Sequence, residues 1–277
     1  MNQYLQQPLR TAQRALVLAT LTAAAGCGGH STSSDVTAPG AERKADTVAL
    51  DAGAALLQSR PPIDALNAYL DGFHFYNGHP GTQMEAHHYC SILNEEVIQC
   101  VIYDGNVKDA KLMGVEYIIS AQLYATLPAA EKPLWHSHVH EVKSGQLVAP
   151  GIPEPAEHAL MEKLVNTYGK TWHTWHTDLD KKLPLGVPQL MMGFNADGQI
   201  DPALVSQRDQ RLGISSAEEK VNRADIPAPV VNPGADAWQK GKVIQLDDPT
   251  GQQHGAMQGA KQKAPAAPAE NAHSAKP

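Results

Sequence analysis

Hydrophobic and polar positions alternate with a period of two through several short runs of this chain, and with a period near 3.6 in only a few. Residues 87–93 and 97–103 both read as strands, joined by Asn94-Glu95-Glu96. A three-residue loop is a common hairpin connection. That register pairs residues whose numbers sum to 190, so Cys90 falls opposite Cys100 and His88 opposite Ile102. Further β-rich runs lie at 112–120 (LMGVEYIIS), 134–145 (LWHSHVHEVKSG), 170–177 (KTWHTWHT) and 188–194. Helical periodicity is clearest at 155–168, where Ala156, Ala159, Leu160, Lys163, Leu164 and Thr167 share a face before Gly169. Shorter helices are predicted at 63–70, opened by Pro61-Pro62, at 121–127 and at 202–212. Gly72, Gly78 and Pro80-Gly81 read as breaks, and 221–234, with three Pro, as extended chain on the surface. Strands outnumber helices. The predicted class is α+β, a single domain with a largely antiparallel sheet and a few flanking helices.

The two ends do not share this patterning. Arg10 and Arg14 precede an apolar run at 15–25, and no acid occurs before Asp35. A positive start, a short apolar stretch and small residues describe a secretory signal. The run is shorter than the roughly 20 apolar residues of a transmembrane helix. It ends in Ala24-Ala25-Gly26-Cys27, which resembles a bacterial lipobox, and that resemblance implies a signal peptide at 1–26 and lipidation of Cys27. An ordinary signal peptide cut near the same place is the plainer alternative. Residues 27–47 read as a flexible tether and 247–277, rich in Gln, Ala, Pro and Gly, as a disordered tail. The folded unit is thus expected at 48–246. The expected partner is membrane lipid, through acylated Cys27, and the expected location is the cell envelope, on the outer membrane or its periplasmic face.

Charge narrows the partners further. The net charge is −7, and without residues 1–26 the chain keeps 20 basic against 29 acidic residues, a net −9. No Lys/Arg block is present, which excludes phosphate-backbone recognition and hence nucleic acid.

The most chemically specific stretch is LWHSHVHEVKSG. On a strand, His136, His138 and His140 would project from one face. Neutral imidazole is a common zinc ligand, and three protein ligands with an open position describe many catalytic sites. Zinc or another transition metal is therefore the candidate cofactor; a solvated, hydrogen-bonded sheet face is the plainer alternative. The spacing does not match a cupin, and HExxH is absent. His173 and His176 are an odd number apart, as are His87 and His88, so neither pair shares a strand face. Cys90 and Cys100 leave three readings open: a disulfide, two buried thiols, or thiolate ligands beside His88. Glu116, Glu141 and Asp178 sit near apolar runs as candidate acid–base groups or hydrogen-bonding partners. No G-x-S-x-G, phosphate loop or dinucleotide fingerprint occurs.

Six segments carry a family likeness: HHYC (87–90), QCVIYD (99–104), GVEYIIS (114–120), LWHSHVHEVKSG (134–145), TYGKTWHTWHTDLD (167–180) and LPLGVPQLMM (183–192). Over about residues 54–245 the chain resembles the oil-body-associated protein family, a conserved domain of unknown function. The resemblance implies association with a lipid surface and carries over no catalytic residue. Plant members lack this lipobox and tail. The function expected is a lipid-anchored cell-envelope protein, a non-enzymatic binding or structural component at a lipid surface. The alternative is a metal-binding protein or metal-dependent enzyme using the three histidines.

Overall fold

The computed structural model describes residues 38–175 and 185–247. The signal segment, Cys27, the first part of the tether, His176, Asp178 and all but the first residue of the tail lie outside the described residues. Among those described, no helix is long and apolar enough to cross a membrane.

Six strands close into an antiparallel barrel. They are β1 (Ala68–Tyr76), β2 (His79–Ile92), β3 (Val97–Tyr103), β4 (Leu112–Ser120), β6 (Thr167–His173) and β7 (Gln189–Met192), with β5 (His136–Ser137) added on the edge of β6. The order is β4-β3-β2-β1-β7-β6, and β4 pairs with β6 to complete the ring. The class is α+β with a sheet core, and the closure into a barrel is what the sequence patterning did not reveal. The β2–β3 register runs His87↔Tyr103 to Ile92↔Ile98, with Cys90 opposite Cys100 and the two joined as a disulfide.

One part of the wall is not built by long strands. β7 bridges β1 and β6 only near one end, through Phe75↔Met192 and Tyr76↔Met191 on one side and Thr171↔Met191 to His173↔Gln189 on the other. Along the rest, the gap between β1 and β6 is filled by an inserted segment. It pairs with β6 at His136↔Gly169 and Ser137↔Tyr168, turns through the helix α4 (Val139–Lys143), and meets β1 at the Asp71↔Val148 bridge. The expected three-histidine strand is therefore only two residues long. The chain turns at His138, where the Val142 amide donates to the His138 carbonyl (3.0 Å), so His140 leaves the face that His136 occupies.

The barrel interior is layered. Tyr76, Met84, Ala86, Ile102, Met113 and Met191 fill one end, while Leu70, Cys90, Cys100, Ile118 and Leu147 fill the other. Between these apolar layers lie buried His74, His88, Glu116, His136 and His173. The outer side of β1 is also buried: Phe73 and Phe75 pack with Leu190, Met192, Phe194 and Ile200. With both faces covered, β1 shows no alternation of buried and exposed positions, and the expected helix at 63–70 shrinks to α2 (Pro61–Asp64). The helix expected at 155–168 is α5 (Glu154–Leu164), because Thr167 and Tyr168 are drawn into β6 opposite β4 and β5. The strand expected at 170–177 begins earlier and ends at His173. α3 (Ala121–Thr126) and α6 (Pro202–Leu212) lie where the pattern placed them. α7 (Ser216–Asn222) takes the start of the segment expected to be extended, and α1 (Ala45–Leu57) begins inside the expected tether.

Candidate metal centre

Glu116 projects inward from β4 into the histidine layer, and three imidazoles approach its carboxylate. His88 Nε2 stands 3.1 Å from Oε2; His136 Nε2 and His138 Nε2 stand 3.6 and 3.5 Å from Oε1. Glu141, on the first turn of α4, brings Oε2 to 4.0 Å from His138 Nε2. His74 lies behind, with Nδ1 3.3 Å from His173 Nε2. Two overlapping sets have donor atoms mutually within 4.8 Å: His74, Glu116 and His136, and His136, His138 and Glu141.

Hydrogen bonds on the far side of two rings fix their tautomers. His88 Nδ1 meets the Ala86 carbonyl at 3.0 Å, and a carbonyl only accepts, so this nitrogen carries a proton. His138 Nδ1 meets Thr167 Oγ1 at 2.8 Å. The Thr167 hydroxyl donates its one proton to the Leu164 carbonyl at 2.7 Å, so it accepts from His138 Nδ1. In the neutral form of either ring Nε2 would then be a lone pair facing an oxygen of Glu116. Acceptor against acceptor in a buried layer requires a positive species between them, either protons on the rings or a metal ion.

Electrostatics constrain that choice. Burial opposes ionisation of Glu116, yet the facing His138 and His88 imidazoles outweigh it and hold its carboxyl well below the usual glutamate range. Burial, with the charges of Glu116 and Asp236, pushes Glu141 well above that range. Burial and the neighbouring His138 depress His136 to about 3, and burial with His88 holds His74 well below the ordinary histidine value. His136 and His74 are therefore neutral donors. Among the described residues, neither ring nitrogen of His136, nor Oε1 of Glu116 or Glu141, has a hydrogen-bond partner. Buried polar atoms are nearly always paired, so four orphaned atoms in one layer call for a ligand.

Three donor pairs stand near the spacing around a single ion, spread over the two overlapping sets. Ligand atoms about 2.1 Å from a tetrahedral zinc stand about 3.4 Å from one another, close to the 3.5, 3.6 and 4.0 Å measured here. Backbone approach is also unusually close. A Cβ at Gly169 would overlap Glu116 Oε1 and crowd His138 Nε2 and His136 Cε1; one at Gly193 would overlap the Glu141 carboxylate.

Of the residues singled out by sequence, the structure brings together His136, His138, His88, Glu116, Glu141 and His173. His140 is not among them: its Nε2 lies 3.3 Å from Gln146 Nε2 and 3.9 Å from Asp197 at the surface. His87 points to the opposite side of β2, where Asp71, Glu85 and His87 form another close group. There Arg208 already meets Asp71 at 2.8 Å and Arg211 pairs with Glu85, so this group is an ion-pair network. Sequence reasoning passed over His74 and Thr167. The signal for His74 was present in YLDGFHFY, where Leu70, Gly72 and His74 alternate with Tyr69, Phe73 and Phe75.

Comparison with known proteins gives the family. The family model described as "Protein of unknown function (DUF1264)" matches residues 60–227. The chain is 41% identical over 218 residues to oil body-associated protein 1B of Arabidopsis thaliana, covering 78% of this chain and 90% of that one. It is 41% identical over 227 residues to oil body-associated protein 1A of Zea mays (80% and 95%), and 41% over 217 residues to protein 2C of Arabidopsis thaliana (77% and 92%). No solved structure matches. These relatives overturn the expected location in a cell envelope, on the outer membrane or its periplasmic face: they are plant proteins named for oil bodies, which are lipid droplets and not bacterial membranes. Shared sequence from before β1 to beyond α7 makes this chain a member of the oil-body-associated protein family.

Proposed function

We propose that this protein binds one transition-metal ion inside its barrel, with His136 Nε2, His138 Nε2, Glu116 and Glu141 as ligands. The observation that carries this reading is the pair of fixed tautomers. His138 and His88 each commit Nδ1 to an outer acceptor and aim Nε2 at the Glu116 carboxylate, while His136 and Glu141 add atoms without a partner among the described residues. His88 and Thr167 act as outer partners: one orients the second Glu116 oxygen, the other holds His138 in its ligating tautomer. Two imidazoles with two carboxylates suit zinc, iron or manganese. Such an ion supplies Lewis acidity; the residues present hold and orient it. Elemental analysis of the purified full chain should find about one metal per chain. That metal should be lost in Glu116→Gln and in His136→Ala/His138→Ala, with far-ultraviolet dichroism retained. Metal-free protein that takes up no zinc, iron or manganese on titration would refute the reading.

A second reading, association with a lipid-body surface, draws on the names of the relatives and on α1. That helix buries none of its residues and leaves Leu50, Leu56 and Leu57 at least 75% exposed. Full-length protein should float with triolein–phospholipid emulsion droplets, and Leu50→Ser/Leu56→Ser/Leu57→Ser should float several-fold less. Equal flotation of both would remove α1 from the contact.

A further inference from the structure

The ligand set is not enclosed on all sides. Glu116, His138 and Glu141 line a small cleft inside the barrel, together with the imidazoles of His74 and His88 and an apolar remainder that includes Leu70, Gly72, Ile118 and Leu147. His136 stands outside this lining. The space is small, about that of a single water molecule. Three of the four proposed ligands thus border one shared opening, and a further coordination position on the ion would point into it.

Charge selects what fills that position. A divalent ion with two ionised carboxylates and neutral imidazoles is a net-neutral centre. No Lys or Arg lines the cleft; beyond the ligands it offers apolar carbon and the imidazoles of His74 and His88, and His88 is already directed at Glu116, so an anion entering would bury a poorly compensated charge, which is costly. A neutral ligand carries no such cost. Size excludes anything much larger than a diatomic molecule.

We propose that the cleft is the binding position for an uncharged exogenous ligand of water or diatomic size on the metal. The site would then be of the open, reactive type and not a closed structural one. This rests on the metal reading above. Gly72 offers a way to fill the position without touching a ligand. It lies on β1 between Leu70 and His74, and a Cβ there meets only Leu147 Cδ1, at 3.3 Å.

The test uses full-length protein loaded anaerobically with ferrous iron. Nitric oxide, a neutral diatomic, should give the S = 3/2 electron paramagnetic resonance signal of a ferrous nitrosyl, at close to one spin per iron. Azide should leave the spectrum of that species and the nitric oxide titration unchanged. Gly72→Val should retain its iron and lose at least tenfold in nitrosyl signal. Iron bound at stoichiometry with no nitrosyl signal would overturn the open position while sparing the metal reading. Azide competing with nitric oxide would overturn the argument from charge. A folded, iron-loaded Gly72→Val with wild-type signal would overturn the placement in the cleft. Absence of iron from wild-type protein, read by elemental analysis in the same samples, would instead refute the metal reading. Should Gly72→Val not fold, the wild-type comparison of nitric oxide with azide still decides.

Discussion

Replacing Thr167 by Val tests the tautomer argument directly. The Thr167 hydroxyl accepts from His138 Nδ1 at 2.8 Å and donates to the Leu164 carbonyl at 2.7 Å. Val keeps the branched shape and removes both bonds. His138 is 3% exposed, so its Nδ1–H is left buried without a partner. An unsatisfied buried polar group costs about 1–3 kcal/mol. For a domain of this size that lowers Tm by roughly 2–4 °C per kcal/mol. The metal is affected separately. With Nδ1 no longer held as the donor, the ring is free to protonate at Nε2 and turn that hydrogen toward Glu116, which removes a ligand. Losing an outer partner of a metal-bound histidine typically weakens affinity about 10–100-fold, or about 1.4–2.7 kcal/mol. Competition with a chromophoric chelator measures the affinity, and thermal scans of metal-free protein measure the stability. Thr167→Ser, which keeps the hydroxyl, should stay within a few-fold of wild type in affinity. A Thr167→Val protein of lowered Tm but unchanged zinc affinity would refute the reasoning, leaving Thr167 a purely structural contact.

Gly193→Ala should fold, because the atom its Cβ meets is the mobile end of Glu141, yet it should displace that carboxylate and weaken metal binding at least tenfold by the same competition assay. Asp236, at φ 50° and 4% exposed, has its carboxyl pushed to about 7, first by burial. Its folded value lies above the unfolded one, so its contribution to stability is fully present below about pH 3.8 and is lost as pH rises toward 7, an effect of the order of a few kcal/mol. Asp236→Asn, which tolerates the left-handed backbone and still accepts from the Ser137 amide, should flatten this part of the denaturant-measured stability profile; an unchanged slope would reject the assignment. Cys90→Ala/Cys100→Ala opens a loop of sequence separation 10 and should cost about 3 kcal/mol in urea unfolding, while a loss below about 1 kcal/mol would show that the bond adds little. Arg208→Met should cost about 3–5 kcal/mol by leaving Asp71 buried without its guanidinium; near-neutral stability would mean that His87 alone neutralises that carboxylate.

Local pairing was legible in the chain where one strand face was buried and a turn fixed the register. The β2–β3 hairpin is the clearest example: its three-residue loop set Cys90 opposite Cys100 and His88 opposite Ile102. β1 was hidden because both of its faces are covered, and Gly72 reads as a break until the crowded Leu147 side chain opposite it is known. The histidine period of two in LWHSHVHE suggested a strand. Only tertiary pairing reveals that β6 can hold just His136 and Ser137 before the segment must turn across the gap to reach β1. That turn exchanges His140 for Glu141 at the site. The shared position of Glu116 and His173 was beyond reach for another reason: it depends on β4 pairing with β6 across about fifty residues, and no local pattern encodes that closure.

The insertion that carries His136, His138 and Glu141 has little sheet of its own, so something else must hold it. Two buried arginines do so from outside the barrel. Arg208, on α6, donates to the Gln146 carbonyl at 3.0 Å and the Gly145 carbonyl at 3.3 Å while paired with Asp71 on β1. Arg223, just after α7, donates to the Val142 and Leu147 carbonyls at 2.9 and 2.8 Å and pairs with Glu157 on α5. Carbonyls that a longer strand would have satisfied through a ladder are met by guanidinium forks, whose planar donors keep their geometry once buried. The terminal helices are thereby coupled to the metal layer without touching it. α6 and α7 position the arginines, the arginines fix residues 142–147, and that segment sets where α4 places Glu141 against His138. The charged network around Asp71 and Glu157 is thus the outer frame of the inner site, which explains why two fully buried arginines lie beside a barrel whose ends are otherwise apolar.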